Sequence, residues 1–225
     1  MRFTQDFRQD LEQLLLQFKQ GLPFAFVRYA DGESAMCQGL PLHVNKPAEE
    51  WTSNKNSQEF QASLVASLQA NLPEYYLGIS CPCCDPQGHL WFLRHATAPL
   101  ERISYANLLV NANYARWMEF FGTLARTDYV LVSSNGGDYT VPRNAVNVDW
   151  GLEDLVADLH HEHRPIFVAA GPAAEVIIHR YWQTAPQKQI IMDVGSTLDP
   201  QIHGFATRAY HDRGSLYGKR ICCWS

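Results

Sequence analysis

Apolar positions along this chain alternate between helical and strand-like spacing. Over residues 4–20, Phe7, Leu11, Leu14, Leu15 and Phe18 fall on one face, and Gly21 and Pro23 close the segment. That pattern predicts an amphipathic helix. "PFAFVRYA" follows as a short apolar run and reads as a first strand. Residues 57–72 return to helical spacing with Phe60, Leu64, Leu68 and Leu72. "EYYLGIS" and "ISYANLLVN" are predicted as the second and third strands. "NYARWMEFFGTLAR" is a helix with Trp117, Phe120, Phe121 and Leu124 inward. "DYVLVSS" is a fourth strand, "AVNVDW" a short fifth, and "LEDLVADLHH" a helix. "RPIFVAAG" is a sixth strand, "PAAEVIIHRYWQ" a helix opened by Pro172, and "KQIIMDVGS" a seventh strand. Strands alternating with helices imply an α/β fold with a mainly parallel sheet and helices on both faces. With no repeat, low-complexity tract or linker, residues 1–225 read as a single domain. The irregular tail over 200–225 is a candidate lid or cap.

Composition narrows the partners. Hydrophobic residues make up 46% and charged residues 18%, enough apolar material for a sizeable core. Net charge is −5 with no basic block, which disfavours nucleic acid and anionic membranes. No apolar run reaches transmembrane length. The N-terminal segment is too polar for a signal peptide, so a cytoplasmic location is expected. The cysteines Cys37, Cys81, Cys83, Cys84, Cys222 and Cys223 are then expected as thiols.

The chemistry concentrates in "FVRYADGESAMCQG", where an apolar strand meets Arg28, Asp31, Gly32 and Glu33. Ligands of open parallel sheets bind beyond the carboxyl ends of the strands. In an extended or turning segment, Asp31 and Glu33 would point the same way and could share one cation. Hard carboxylates favour Mg²⁺ or Mn²⁺, ions commonly shared with substrate phosphates. Gly32 permits close approach of a ligand, and Arg28 offers a planar fork for a phosphate. A purely structural alternative has Asp31 capping the next helix and Glu33 in its first turn.

"RYADGE" resembles the signature of the GT-D glycosyltransferases, an Arg-x-Gly-Asp-Gly-Glu type motif after the first strand, with Ala30 in place of the usual glycine. "ISYANLLVNANYARWMEFF" resembles the family's Asn-bearing strand-to-helix segment, and "VAAGP" and "IMDVGSTLDP" resemble its two C-terminal strand ends. The likeness spans about Arg28 to Asp199. It implies a Rossmann-like glycosyltransferase whose Asp-x-Glu, here Asp31 and Glu33, binds Mn²⁺ or Mg²⁺ and a nucleotide-diphosphate sugar, with a UDP-sugar the first expectation. It leaves sugar and acceptor open; a glycan, a lipid-linked saccharide and a protein are all candidates.

Further residues fit that reading. Asn107 and Asn111 offer donors and acceptors for a base or ribose, or satisfy a turn. Gly171 precedes a helix start whose N–H groups could hold a phosphate. Asp193 is the candidate general base, with Asp149 competing; Asp193 could equally cap its loop through Ser196 and Thr197. The basic tail with Arg208, His211, Arg213, Lys219 and Arg220 could close over a diphosphate. "CPCCD" lacks the usual zinc spacing, although Cys222, Cys223, His89 and His95 could join it. As a C-x-x-C pair it lacks a predicted helix directly after it. "LHHEHRP" reads as a helix end. With no G-x-G-x-x-G, Walker A or G-x-S-x-G pattern, dinucleotide enzymes, P-loop kinases and the common serine hydrolases are disfavoured. The expected activity is therefore metal-dependent glycosyl transfer to a hydroxyl, with Asp31, Glu33 and Asp193 as catalytic candidates. The alternatives are a non-catalytic nucleotide- or sugar-binding module and an α/β phosphoryl-transfer or hydrolase enzyme.

Overall fold

The computed structural model describes residues 1–40, 58–125, 128–133 and 152–220. The predicted strand in "AVNVDW", Asp149 and the Cys222–Cys223 pair lie outside the described residues.

Helix α1 (Phe7–Lys19) begins where the Asp6 carboxylate accepts the N–H groups of Arg8 and Gln9. Strand β1 (Ala25–Tyr29) leads into α2 (Asp31–Cys37), and α3 (Gln58–Leu68) leads into β2 (Tyr75–Ile79). Helix α4 (Pro86–His95) and β3 (Ile103–Tyr105) follow, then α5 (Tyr114–Phe121) and β4 (Val130–Ser133). The rest is α6 (Leu152–Leu159), β5 (Ile166–Ala169), α7 (Ala173–Thr184), β6 (Ile191–Asp193) and the short helices α8 (Asp199–His203) and α9 (Leu216–Lys219).

All described strands pair in parallel, in the order β3-β2-β1-β6-β5-β4. From β1 through β3, and again from β4 through β6, each step moves one strand in the same direction. Parallel crossovers are right-handed, so the helices of those steps collect on one face. That face buries Leu64 and Leu68 of α3, Phe92 of α4, Leu159 of α6 and Ile177 of α7 against Val27, Leu77, Val132 and Val168. The step from β3 to β4 runs the other way, edge to edge, and carries α5 to the opposite face. There Trp117, Phe120 and Phe121 meet Leu11, Leu14 and Phe18 of α1 over Phe26, Tyr76 and Phe167. Both faces of the strands are therefore apolar, and each fully buried Leu or Phe contributes roughly 1.5–3 kcal/mol.

The predicted third strand is cut to Ile103–Tyr105. Beyond it the chain turns, with the Leu108 N–H on the Tyr105 carbonyl at 3.0 Å and Asn111 at φ 54°. Leu108 and Leu109 still fill the second core, so the apolar signal was one of burial and not of strand. Helices α2 and α4 are additions to the predicted elements. Among the described residues no helix is long and apolar enough to cross a membrane.

Candidate active site at the carboxyl edge of β1 and β6

The central strands β1 and β6 bring together residues from the two ends of the chain. Arg28, on β1, donates from Nε to Asp193 Oδ2 at 2.8 Å and from Nη1 to the Ala106 carbonyl at 3.1 Å. Asp193 is the last residue of β6, and its Oδ1 accepts the Gly195 N–H at 2.7 Å. Gly195 has φ +47°, and a Cβ there would lie 1.7 Å from Arg28 Nη2. Glycine is thus required twice, by conformation and by the approach of the guanidinium. The loop is pinned from below, because Thr197 donates to the Val194 carbonyl and accepts from the Trp117 indole. The Arg28 and Asp193 side chains are only 12% and 6% exposed, so the pair is closed off from bulk water. Burial opposes the Arg28 charge, but Asp193 more than offsets it.

The Asp-Gly-Glu segment is helical. Asp31 opens α2, and Glu33 turns back so that its Oε2 accepts the Ala30 N–H at 2.9 Å. Residues two apart on a helix point about 200° from one another. Asp31 is exposed while Glu33 is half-buried, so the expected extended pair aimed at one point is replaced by one outer and one inner carboxylate. The structural alternative holds for Glu33, which lies in the first turn, but not for Asp31: the N-cap is Ala30 and Asp31 is the first helical residue. A helix N-terminus favours anionic groups in either case. Burial pushes the Glu33 carboxyl up to about 7, with Asp193 and Asp31 adding to the effect.

Glu175 was not among the sequence candidates. It lies in the first turn of α7, only 1% exposed, and its Oε2 has no hydrogen-bond partner among the described residues. Burial, then the neighbouring Asp193 and Glu33, holds its carboxyl far above the usual range. Asp10 gives the contrast: it is equally buried, but accepts from Thr4 and Ser104 at 2.6–3.1 Å and ties the N-terminus to β3. A satisfied buried carboxylate is ordinary architecture; an unsatisfied one beside two more acids is a candidate functional cluster. The sequence signal was faint: one acid inside the apolar run "AAEVII".

The remaining candidates sit around this cluster. Asn107 follows Ala106, the carbonyl partner of Arg28, and its Nδ2 donates to Cys81 Sγ at 3.4 Å. Asn111 opens a 3-10 turn whose Ala112 N–H reaches the Arg220 carbonyl at 3.1 Å. Gly171 has φ +55° and accepts the Ala174 N–H at the start of α7. Arg208 precedes the buried Tyr210, whose hydroxyl bonds Ser196 at 2.7 Å and which feels the Arg28 charge. His211 Nδ1 accepts the N–H groups of Thr207 and Arg208, so its Nε2 carries the proton and donates to the Ser196 carbonyl at 2.9 Å. The 205–220 segment is thereby fastened to the loop after β6. His160 follows the last residue of α6, consistent with "LHHEHRP" as a helix end. The C-x-x-C reading needs correction on one point: a helix does follow, α4 from Pro86, capped by Asp85.

No family model matches the chain, and no curated protein does. Two solved structures do. One, described as a domain of unknown function 1792 with "a distinct glycosyltransferase fold", aligns with TM-score 0.53 at 16% identity, over 88% of this chain and 82% of its own. This chain shares that glycosyltransferase fold. A selenomethionine-substituted structure of the same domain aligns with TM-score 0.57, again at 16% identity and with the same coverage. At that identity the likeness speaks for the fold, and the chemistry rests on the residues themselves.

Proposed function

We propose that this protein is a glycosyltransferase that uses a nucleotide-diphosphate sugar, with its donor site at the carboxyl edge between β1 and β6. The observation that carries the reading is the cluster of Arg28, Glu33, Glu175 and Asp193 at that edge in a chain with this fold. A paired guanidinium beside carboxyls of raised pKa is a means of handling a charged leaving group.

The residues fit a divalent metal held through Asp31, with Glu33 the inner charge nearby rather than a second ligand aimed at the same point. Asp31 is exposed, Glu33 uses Oε2 for Ala30, and Gly32 between them carries no side chain. Among the described residues no third acid or histidine joins them in a tight ligand group. That suits Mn²⁺ or Mg²⁺ held by one or two carboxylates and completed by water and diphosphate oxygens. When bound, such an ion neutralises the charge gathering on the departing diphosphate. Arg28 supplies a fixed positive charge beside it. Asp193 is best cast as a positioning residue, since one oxygen holds Arg28 and the other holds Gly195. The segment after β6 would cover the donor, with Arg208 two residues before the anchored Tyr210.

The test is a thermal-shift panel of nucleotide diphosphates and their sugars, with and without Mn²⁺, on wild type and Asp31→Ala, followed by product analysis. Metal-dependent stabilisation by one nucleotide, weakened in the variant, together with sugar transfer, is expected. Saturable binding without product would make the protein a binding module. Turnover of simple phosphate esters without a sugar nucleotide would replace the reading with phosphoryl transfer.

A further inference from the structure

The turn after β2 gathers three sulfurs. Cys81 Sγ lies 3.2 Å from Cys83 Sγ, and Cys83 Sγ lies 3.9 Å from Cys84 Sγ. All three Sγ atoms fall within 4.8 Å of one another. The backbone explains the grouping. The N–H groups of Cys84 and Asp85 both return to the Cys81 carbonyl, at 3.1 and 2.9 Å, and Asp85 then caps α4 through the Gly88 N–H. A strand fixes one end of the turn and a helix the other, so the sulfurs converge without help from a distant segment.

Thiolates bound tetrahedrally to zinc at ≈2.3 Å stand about 3.8 Å apart. The observed separations of 3.2 and 3.9 Å bracket that value. Two neighbours hold the cluster in place. Asn107 donates an N–H to Cys81 Sγ at 3.4 Å, the outer support that ligating groups commonly receive. The Arg220 guanidinium reaches the Cys83 carbonyl at 3.4 Å. Histidines do not compete for the cluster: His89 and His95 each bond a backbone carbonyl through Nδ1, those of Ser80 and Trp91.

We propose that Cys81, Cys83 and Cys84 form a zinc site and supply three thiolates, the ligands it has among the described residues. Zinc is the expected ion because soft thiolates select it over the hard cations suited to carboxylates. Binding displaces thiol protons. The site also has a connection to the donor edge. Asn107 bonds Cys81, and the preceding Ala106 carbonyl bonds Arg28, so one dipeptide links the sulfurs to the guanidinium.

The experiment is a Co²⁺ titration of the full chain, kept reduced under argon and read by thiolate-to-cobalt charge-transfer absorbance, then back-titrated with Zn²⁺. One Co²⁺ per chain, displaced by Zn²⁺, is expected. Cys84 is exposed, so Cys84→Ser should fold; it should weaken binding at least ~10-fold and dim the band. Asn107→Ala should keep the stoichiometry and weaken binding about 10–100-fold. No thiolate band in the reduced, folded protein would overturn the proposal. So would a band undiminished in the Cys81→Ser/Cys83→Ser/Cys84→Ser variant, which would put the ion elsewhere. A band absent in reduced protein, with two thiols lost on exposure to air, would replace the metal site with a disulfide pair.

Discussion

Glu33→Gln isolates the charge of one inner carboxylate. The glutamine oxygen can still accept the Ala30 N–H, so the α2 start keeps its bond. What leaves is the ionisation. The Glu33 carboxyl is raised from its ordinary 4.5 to about 7, chiefly by burial. Below about 4.5 it is protonated in folded and unfolded chains alike and costs nothing; above about 7 it is ionised in both, and the folded state carries the full penalty. Stability from this group is therefore lost as pH rises through that window. At ~1.4 kcal/mol per pH unit the penalty reaches about 3 kcal/mol. For a chain of this size that is about 6–12 °C in Tm. Melting curves of wild type and Glu33→Gln in matched buffers without divalent metal should nearly coincide at pH 4.5 and diverge up to pH 8, with the variant the more stable. Asp31→Asn is the control, its exposed side chain shifting stability within about 0.5 kcal/mol. Curves that stay parallel across the whole range would refute a buried, destabilised Glu33.

Four further outcomes follow from the geometry. Arg28→Met strands a buried carboxylate and should lower stability by about 3–5 kcal/mol in urea unfolding; adding Asp193→Asn should recover part of that loss. Gly195→Ala and Gly204→Ala share a positive φ, worth roughly 1–2 kcal/mol, but only the first drives a Cβ into Arg28. Gly195→Ala should therefore be the more destabilised in a thermal melt and lose nucleotide binding, whereas Gly204→Ala keeps it. Mn²⁺ affinity measured by calorimetry should rise with pH up to about 7, as Glu33 gives up its proton, and level off above. Burial lowers the His211 pKa below its ordinary 6.5, so its contribution is intact above that value and is lost on acidification. Protonation removes the Nδ1 acceptor, and hydrogen-exchange protection factors over residues 205–220, corrected for the intrinsic pH dependence, should fall at acidic pH before the core melts.

Much of this was legible in the chain because it depends on local periodicity. Leu11, Leu14 and Phe18 announce α1, and the short apolar runs announce the strands. Arg28, Asp31 and Asp193 were readable because strand ends bear the ligands of such sheets. What failed was shorter or deeper. Helix α2 is a single glycine-bearing stretch, "DGESAMC", with too few apolar positions to show a period. In α4 the run Leu90–Leu93 looks uniformly apolar, yet Leu90 is 53% exposed and Phe92 fully buried. Glu175 left only a faint trace because its meaning comes from neighbours, Asp193 and Glu33, that reach it only through the sheet. The alternation of elements likewise does not state strand order, and without that order nothing pairs Arg28 with Asp193.

The strand order also sets a timetable for synthesis. β1 is the first of the described strands to be made and its neighbour β6 the last of them, with Arg28 and Asp193 separated by 165 positions. Until β6 emerges from the ribosome, the nascent chain carries an apolar strand with one open edge, a template for pairing with other chains. Fragments ending before Ile191 should therefore precipitate rather than persist as partly folded species. The ion pair can form only after β6 has been translated, so a chain that holds it has already joined both halves of the sheet.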